Sequence, residues 1–179
     1  MEREIGRRNN PWSLWVWGAA ATLLATPLVA MRLTDEVNWT ASDFGIFAVM
    51  LGAAGGAWEL GMRTSSSMAY RLGVTAAVGT AFLLVWATLA VGFIGNEEHP
   101  ANLMYAGLLI IGLVGGVLAR FRPGGLAVTL VIMAVGQAAA GAVAAGLGQY
   151  EAIKPTVVFT LMWLGAATLF YKAAQDQAR

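Results

Sequence analysis

Two uncharged runs separated by a short polar break limit this chain more than any other feature. Leu72 to Gly95 is 24 residues without a charged side chain, and Ala101 to Ala119 is another 19. The break between them is Asn96-Glu97-Glu98-His99-Pro100. At about 1.5 Å of rise per residue, each run is long enough to cross a hydrocarbon layer of about 30 Å. Hydrocarbon offers the backbone no hydrogen-bond partner, so each run must be helical and the break must be a tight turn. The sequence predicts a transmembrane hairpin.

The rest of the chain agrees with this solvent. Apolar residues make up 58% of the 179 positions and charged residues 12%, and the mean hydropathy is +0.66. These values are displaced from soluble norms toward membrane proteins. The net charge of +1 gives no basic field for nucleic acid, and the absence of cysteine excludes disulfides, thiolate metal sites and cysteine nucleophiles. One histidine, His99, is too little for a haem or zinc site. No nucleotide-binding glycine fingerprint, zincin motif or serine elbow occurs. An enzyme is not expected; no catalytic residue, metal site or cofactor is assigned.

Four further apolar stretches complete the pattern. Trp12 to Met31 follows a tail bearing Arg3, Arg7 and Arg8, with Pro11 suited to a first helical turn. A signal peptide competes here, but the run exceeds the usual apolar core of about 7–15 residues, so a retained helix is expected. A second helix is predicted from Asp43 to Arg63, with Thr40, Ser42 and Asp43 as N-cap candidates. The third is predicted from Met68 to Gly95 and the fourth from Ala101 to Phe121. Arg122-Pro123-Gly124-Gly125 reads as a breaker, so the fifth runs from Gly125 to Leu147. The sixth begins at Pro155 and continues to Ala174. The expected fold is an all-α, polytopic transmembrane bundle of six helices, with polar tails over residues 1–11 and 175–179 flanking a membrane domain over 12–174.

Orientation follows from the cationic residues. With the N-terminus inside, the inner side carries Arg3, Arg7, Arg8, Arg63, Arg71, Arg120, Arg122, Lys172 and Arg179, and the outer side only Arg32 and Lys154. Both termini are therefore expected in the cytoplasm. Aromatic belts are expected at the two boundaries: Trp12, Trp15, Trp58, Tyr70, Phe121 and Tyr171 inside, and Trp39, Phe44, Phe93, Tyr105 and Tyr150 outside.

Glycine patterning suggests close helix packing. Gly52 and Gly56 form a Gly-xxx-Gly stripe on helix two, and Gly112 and Gly116 form another on helix four, 60 positions later. Three related hairpins about a common axis are one reading of this recurrence. Packing need alone is the favoured one.

Few residues carry potential chemistry. Glu59 lies one turn inside the end of helix two, after an uncharged run from Phe44 to Trp58, and a carboxylate there needs a partner or water. Arg63 stands at i+4, and Arg71 and Arg120 lie at similar depth. A structural tie among helix ends is the favoured reading; a proton or cation relay is the functional one. Gln137, midway along helix five, needs a hydrogen-bond partner and more often joins two helices than lines a path. Glu97, Glu98 and His99 are sequential, and a metal would need ligands from elsewhere.

The stretch Phe93-Ile94-Gly95-Asn96-Glu97-Glu98-His99-Pro100-Ala101-Asn102, followed by Ala119-Arg120-Phe121-Arg122-Pro123, resembles small, uncharacterised bacterial multi-pass inner-membrane proteins. The resemblance covers the middle third and implies a bacterial inner membrane, with no assigned activity. Two roles are thus expected. The leading one is a non-enzymatic interaction or accessory protein, whose partners are the bilayer and another membrane protein or a second copy. The alternative is a small proton- or cation-coupled carrier or channel using Glu59.

Overall fold

A computed structural model describes residues 11–96 and 98–179, except for the side chains of Pro11 and Trp12. Arg3, Arg7, Arg8 and Glu97 lie outside the described residues. The described chain is all-α, with no strand. Its helices are α1 (Pro11–Leu33), α2 (Ala41–Thr64), α3 (Met68–Ala90), α4 (Leu103–Leu118), α5 (Pro123–Gly146) and α6 (Ile153–Ala178). Single 3-10 turns at Pro100–Asn102 and Tyr150–Ala152 lead into α4 and α6. With those turns included, six segments are long and apolar enough to cross a membrane. The chain is a multi-pass membrane protein.

The described residues form two compact units, one ending at Glu59 and the other beginning at Leu60. In the first unit, Thr40 and Asp43 start α2 as a reciprocal cap. The Thr40 backbone N–H and hydroxyl both donate to Asp43 Oδ2 at 2.7 Å, and the Asp43 N–H donates back to Thr40 Oγ1 at 3.4 Å. Trp39 packs edge-on against Phe44 and Phe47, at 5.2 and 5.4 Å between ring centres. The Trp17 ring lies over Gly55, where a Cβ would come within 3.3 Å of it.

In the second unit α5 is central. It packs along α6 and against α4, and α6 in turn packs against α3. Three glycine approaches set the antiparallel register of α4 on α5: Gly112 beside Met133, Gly115 beside Thr129 and Leu108 beside Gly136. Gly141 sits against Thr156 and fixes the register of α5 on α6. Gly73 rests on Phe170, whose ring meets Tyr70 edge-on at 5.1 Å and joins α3 to α6.

Several helix ends depart from the expected ones; α4, for example, ends at Leu118 rather than Phe121. Helix α3 stops at Ala90 rather than Gly95. Gly92, at φ 70°, turns the chain left-handed and donates its N–H to the Ala87 and Thr88 carbonyls. The apolar Phe93 and Ile94 then belong to the turn, with Ile94 fully buried. Hydropathy reads burial, not helicity, so it ran through this stop. Helix α5 starts at Pro123, because proline suits the first helical turn, and Gly124 and Gly125 are helical. A Cβ at Gly125 would stand 2.5 Å from that of Ala119, so glycine allows the α4–α5 turn to close tightly. Helix α6 continues to Ala178, through the segment expected as a polar tail.

The α4–α5 turn also carries two consecutive non-glycine residues in the left-handed region, Arg120 at φ 51° and Phe121 at φ 55°. The Phe121 N–H donates to the Gly116 carbonyl at 3.0 Å, and the Tyr70 hydroxyl donates to the Phe121 carbonyl at 3.0 Å, which holds the turn. A left-handed residue with a Cβ costs about 1–2 kcal/mol. Arg120→Gly is therefore expected to raise the unfolding free energy by about 1 kcal/mol in a mixed-micelle denaturant titration. A decrease would show that the guanidinium supplies more than the backbone strain removes.

Two of the expected boundary aromatics are packed among the helices rather than turned outward. Tyr70 and Tyr105 are 2% and 1% exposed. Tyr105 meets Phe93 edge-on at 4.9 Å, and Phe93 meets Phe159 at 5.5 Å. Trp15, Phe121, Tyr150 and Tyr171 are exposed.

Candidate functional site

The residues expected to carry charge chemistry each have a local setting. Glu59 is half-buried and accepts a 3.4 Å hydrogen bond from Ser13 Oγ, which links α1 to α2 within the first unit. In the second unit, Arg71 is half-buried and its Nε donates to the Ser65 carbonyl at 3.0 Å, closing the turn before α3. Arg63 is exposed near the end of α2, and Arg120 is exposed in the strained turn after α4. The imidazole of His99 is a structural cap, since its Nδ1 accepts from the Ala101 N–H at 3.2 Å and starts the 3-10 turn. No group of three or more acidic, histidine or cysteine residues converges among the described residues.

The two glycine stripes have different surroundings. A Cβ at Gly112 would stand 2.7 Å from Met133 Sδ, and one at Gly116 would touch Phe121 and Leu126. At Gly52 and Gly56 it would meet nothing within 4 Å. The same spacing therefore serves close packing on α4 and, on α2, a strip that nothing in the first unit covers.

The strongest polar constellation lies among α4, α5 and α6. Gln137 stands 14 residues beyond Pro123, which is about 21 Å along α5. It is 0% exposed, and neither Oε1 nor Nε2 has a hydrogen-bond partner. The contact of Gly141 with Thr156 brings Gln137, one turn further along, level with Thr160 on antiparallel α6. Trp163, 1% exposed, follows on the same side of α6 with its indole N–H unpartnered. The Thr156, Thr160 and Tyr105 hydroxyls are also buried without partners. The Tyr105 hydroxyl approaches the Thr156 side chain without closing a well-formed bond.

Six orphaned polar atoms on neighbouring turns are costly where water is absent, because each buried group left unpaired costs about 1–3 kcal/mol. The set contains donors (indole N–H, amide NH2, hydroxyls) and acceptors (amide oxygen, hydroxyls), and no carboxylate, ammonium or guanidinium. Its chemistry is that of neutral hydrogen bonding. Of these residues, Gln137 is legible as a single polar letter in an apolar run. Thr156, Thr160 and Trp163 could have been found from their i, i+4, i+7 spacing, which sets them on one stripe of α6. Tyr105 has no such signal.

Alongside this layer runs a groove of about 390 Å3 between α5 and α6. Ala138, Gly141 and Ala142 form one wall, and Thr156, Val157 and Thr160 the other.

No protein-family model, curated protein or solved structure matches the chain.

The orphaned amide gives a direct expectation. Gln137→Met keeps the side-chain length and removes two unpaired polar atoms, so it is expected to stabilise the fold by about 1–2 kcal/mol. The check is the shift in the mixed-micelle unfolding midpoint. A loss of stability would mean that the amide has a partner in the folded protein.

Proposed function

We propose that this chain is a non-enzymatic interaction or accessory protein of a bacterial inner membrane, which associates through its helices with another membrane protein or a second copy. The observation that carries this reading is the stripe of Ala48, Gly52 and Gly56 on α2, which nothing in the first unit covers: Ala48 is exposed, and Cβ atoms at the two glycines would meet no neighbour there. In hydrocarbon, an exposed leucine is already in a good solvent, but an exposed small-residue stripe forgoes the dispersion contacts that close helix approach provides. On α4 the same spacing is used for contact, with Gly112 against Met133. Short connections between helices and the absence of a converging charged site among the described residues agree with this role. The distribution of arginine and lysine supports cytoplasmic termini. The resemblance of the central third to bacterial multi-pass proteins supports the choice of membrane.

The test is the double substitution Gly52→Leu with Gly56→Leu. Purified in mild detergent, the unaltered chain is expected as a complex by light scattering, either with itself or with a co-purifying membrane protein. The double variant should weaken that association at least tenfold, or about 1.4 kcal/mol, while retaining its helix content. A monodisperse monomer from the unaltered chain, or equal association by the variant, would overturn the proposal.

A further inference from the structure

The groove between α5 and α6 has a property that helix packing does not require. Thr75, Thr80, Thr88 and Thr129 each donate their hydroxyl to the carbonyl four residues back, at 2.7–3.0 Å. That self-bond is the usual way for a membrane helix to satisfy threonine. Thr156 and Thr160 both line the groove, and neither hydroxyl has a partner. A helical threonine has two accessible χ1 rotamers, so at Thr160, half-exposed in the groove with its hydroxyl buried, a change of rotamer brings the oxygen to the groove at little cost. Behind them lie the unpaired groups of Gln137, Tyr105 and Trp163.

We propose that this groove is a binding site for a neutral, lipid-soluble molecule with a hydrogen-bonding head, an alcohol or a carbonyl compound, and an apolar body. Three observations select that class. The wall residues Ala138, Ala142, Val157 and Leu161 are apolar and exposed on a membrane-spanning pair, so the occupant arrives from hydrocarbon and has a body that hydrocarbon dissolves. The Thr160 hydroxyl offers both donation and acceptance, which suits a hydroxyl or a carbonyl oxygen, and Thr156 stands one turn away on the same wall. No ionised side chain lines the groove, and an unpaired charge at this depth is costly, so the head is neutral. The occupant would satisfy hydroxyls that are otherwise orphaned.

The experiment uses the full chain in phosphatidylcholine nanodiscs with a long-chain alcohol carrying a diazirine, followed by peptide mapping after photolysis. Labelling is expected on peptides spanning residues 138–161. An excess of 1-decanol should reduce it at least tenfold, and an equal excess of decane less than twofold. Thr156→Val with Thr160→Val should lose at least tenfold in labelling, with a folding midpoint equal to or above that of the unaltered chain. Ala142→Leu, a change at an exposed wall, should lose labelling by obstruction and serves if the threonine pair fails to fold. Labelling spread evenly over the exposed helix faces would overturn the proposal. So would equal competition by decane, or undiminished labelling of either variant.

Discussion

Asn102→Ala is expected to cost about 3 kcal/mol, among the largest losses from any single side-chain truncation in this chain. Asn102 is 6% exposed and holds the α3–α4 turn through four side-chain hydrogen bonds. Its Oδ1 accepts from the Phe93 and Ile94 N–H groups, both at 3.1 Å, and its Nδ2 donates to the Ile94 carbonyl at 3.2 Å and the Asn96 carbonyl at 2.7 Å. Truncation leaves backbone groups beside the fully buried Ile94 without partners, and each such group costs about 1–3 kcal/mol. Asn102→Asp should not rescue the turn. It keeps the acceptor for the two N–H groups but sets an anionic oxygen against two carbonyls. Asn96→Ala, at an exposed position, should stay within about 0.5 kcal/mol of the unaltered chain. Unfolding free energies from mixed-micelle titrations of the three variants check the ranking. An Asn102→Ala loss below about 0.5 kcal/mol would show that the turn does not depend on this amide.

Gly141→Ala is expected to destabilise the α5–α6 pair by about 1–3 kcal/mol, against the usual gain of alanine over glycine in a helix. A Cβ at Gly141 would collide with the Thr156 side chain, standing 2.6 Å from Oγ1 and closer still to Cγ2. The clash is with atoms next to the partner backbone, so no flexible tip can move aside. The helices must separate, and tight packing makes that costly. Thr156→Ala removes the two nearest atoms and leaves only Cβ, at 2.9 Å, so the double variant should recover part of the loss, a coupling that independent sites would not show. Gly165→Ala on α6 is the control, since a Cβ there meets nothing within 4 Å. It should be neutral or mildly stabilising. Equal effects at Gly141 and Gly165 would refute close approach as the reason for glycine at position 141.

These two sites show where legibility ended. The six helices and their approximate extents follow from uncharged runs, since length and hydropathy are local properties. The path of the chain after α3 does not: Gly92 turns it out of the helix, and Asn102 then holds Phe93 and Ile94 from beyond the turn, a side-chain clamp that leaves no periodicity. Gly112 and Gly52 look alike in sequence, yet Met133 covers only the first. Tyr70 and Tyr105 carry the letter of a boundary aromatic, but whether a ring is covered depends on which neighbours surround it.

The sequence by itself determined the solvent and the count of crossings. Backbone polar groups in hydrocarbon can only be satisfied inside a helix, and that rule acts on each segment alone. Only the tertiary structure decided which glycines touch, which tyrosines are covered, and that Gln137 shares a polar layer with Thr156, Thr160, Trp163 and Tyr105. Those outcomes depend on the register of α4 and α6 against α5, and register is set by contacts between residues far apart in the chain.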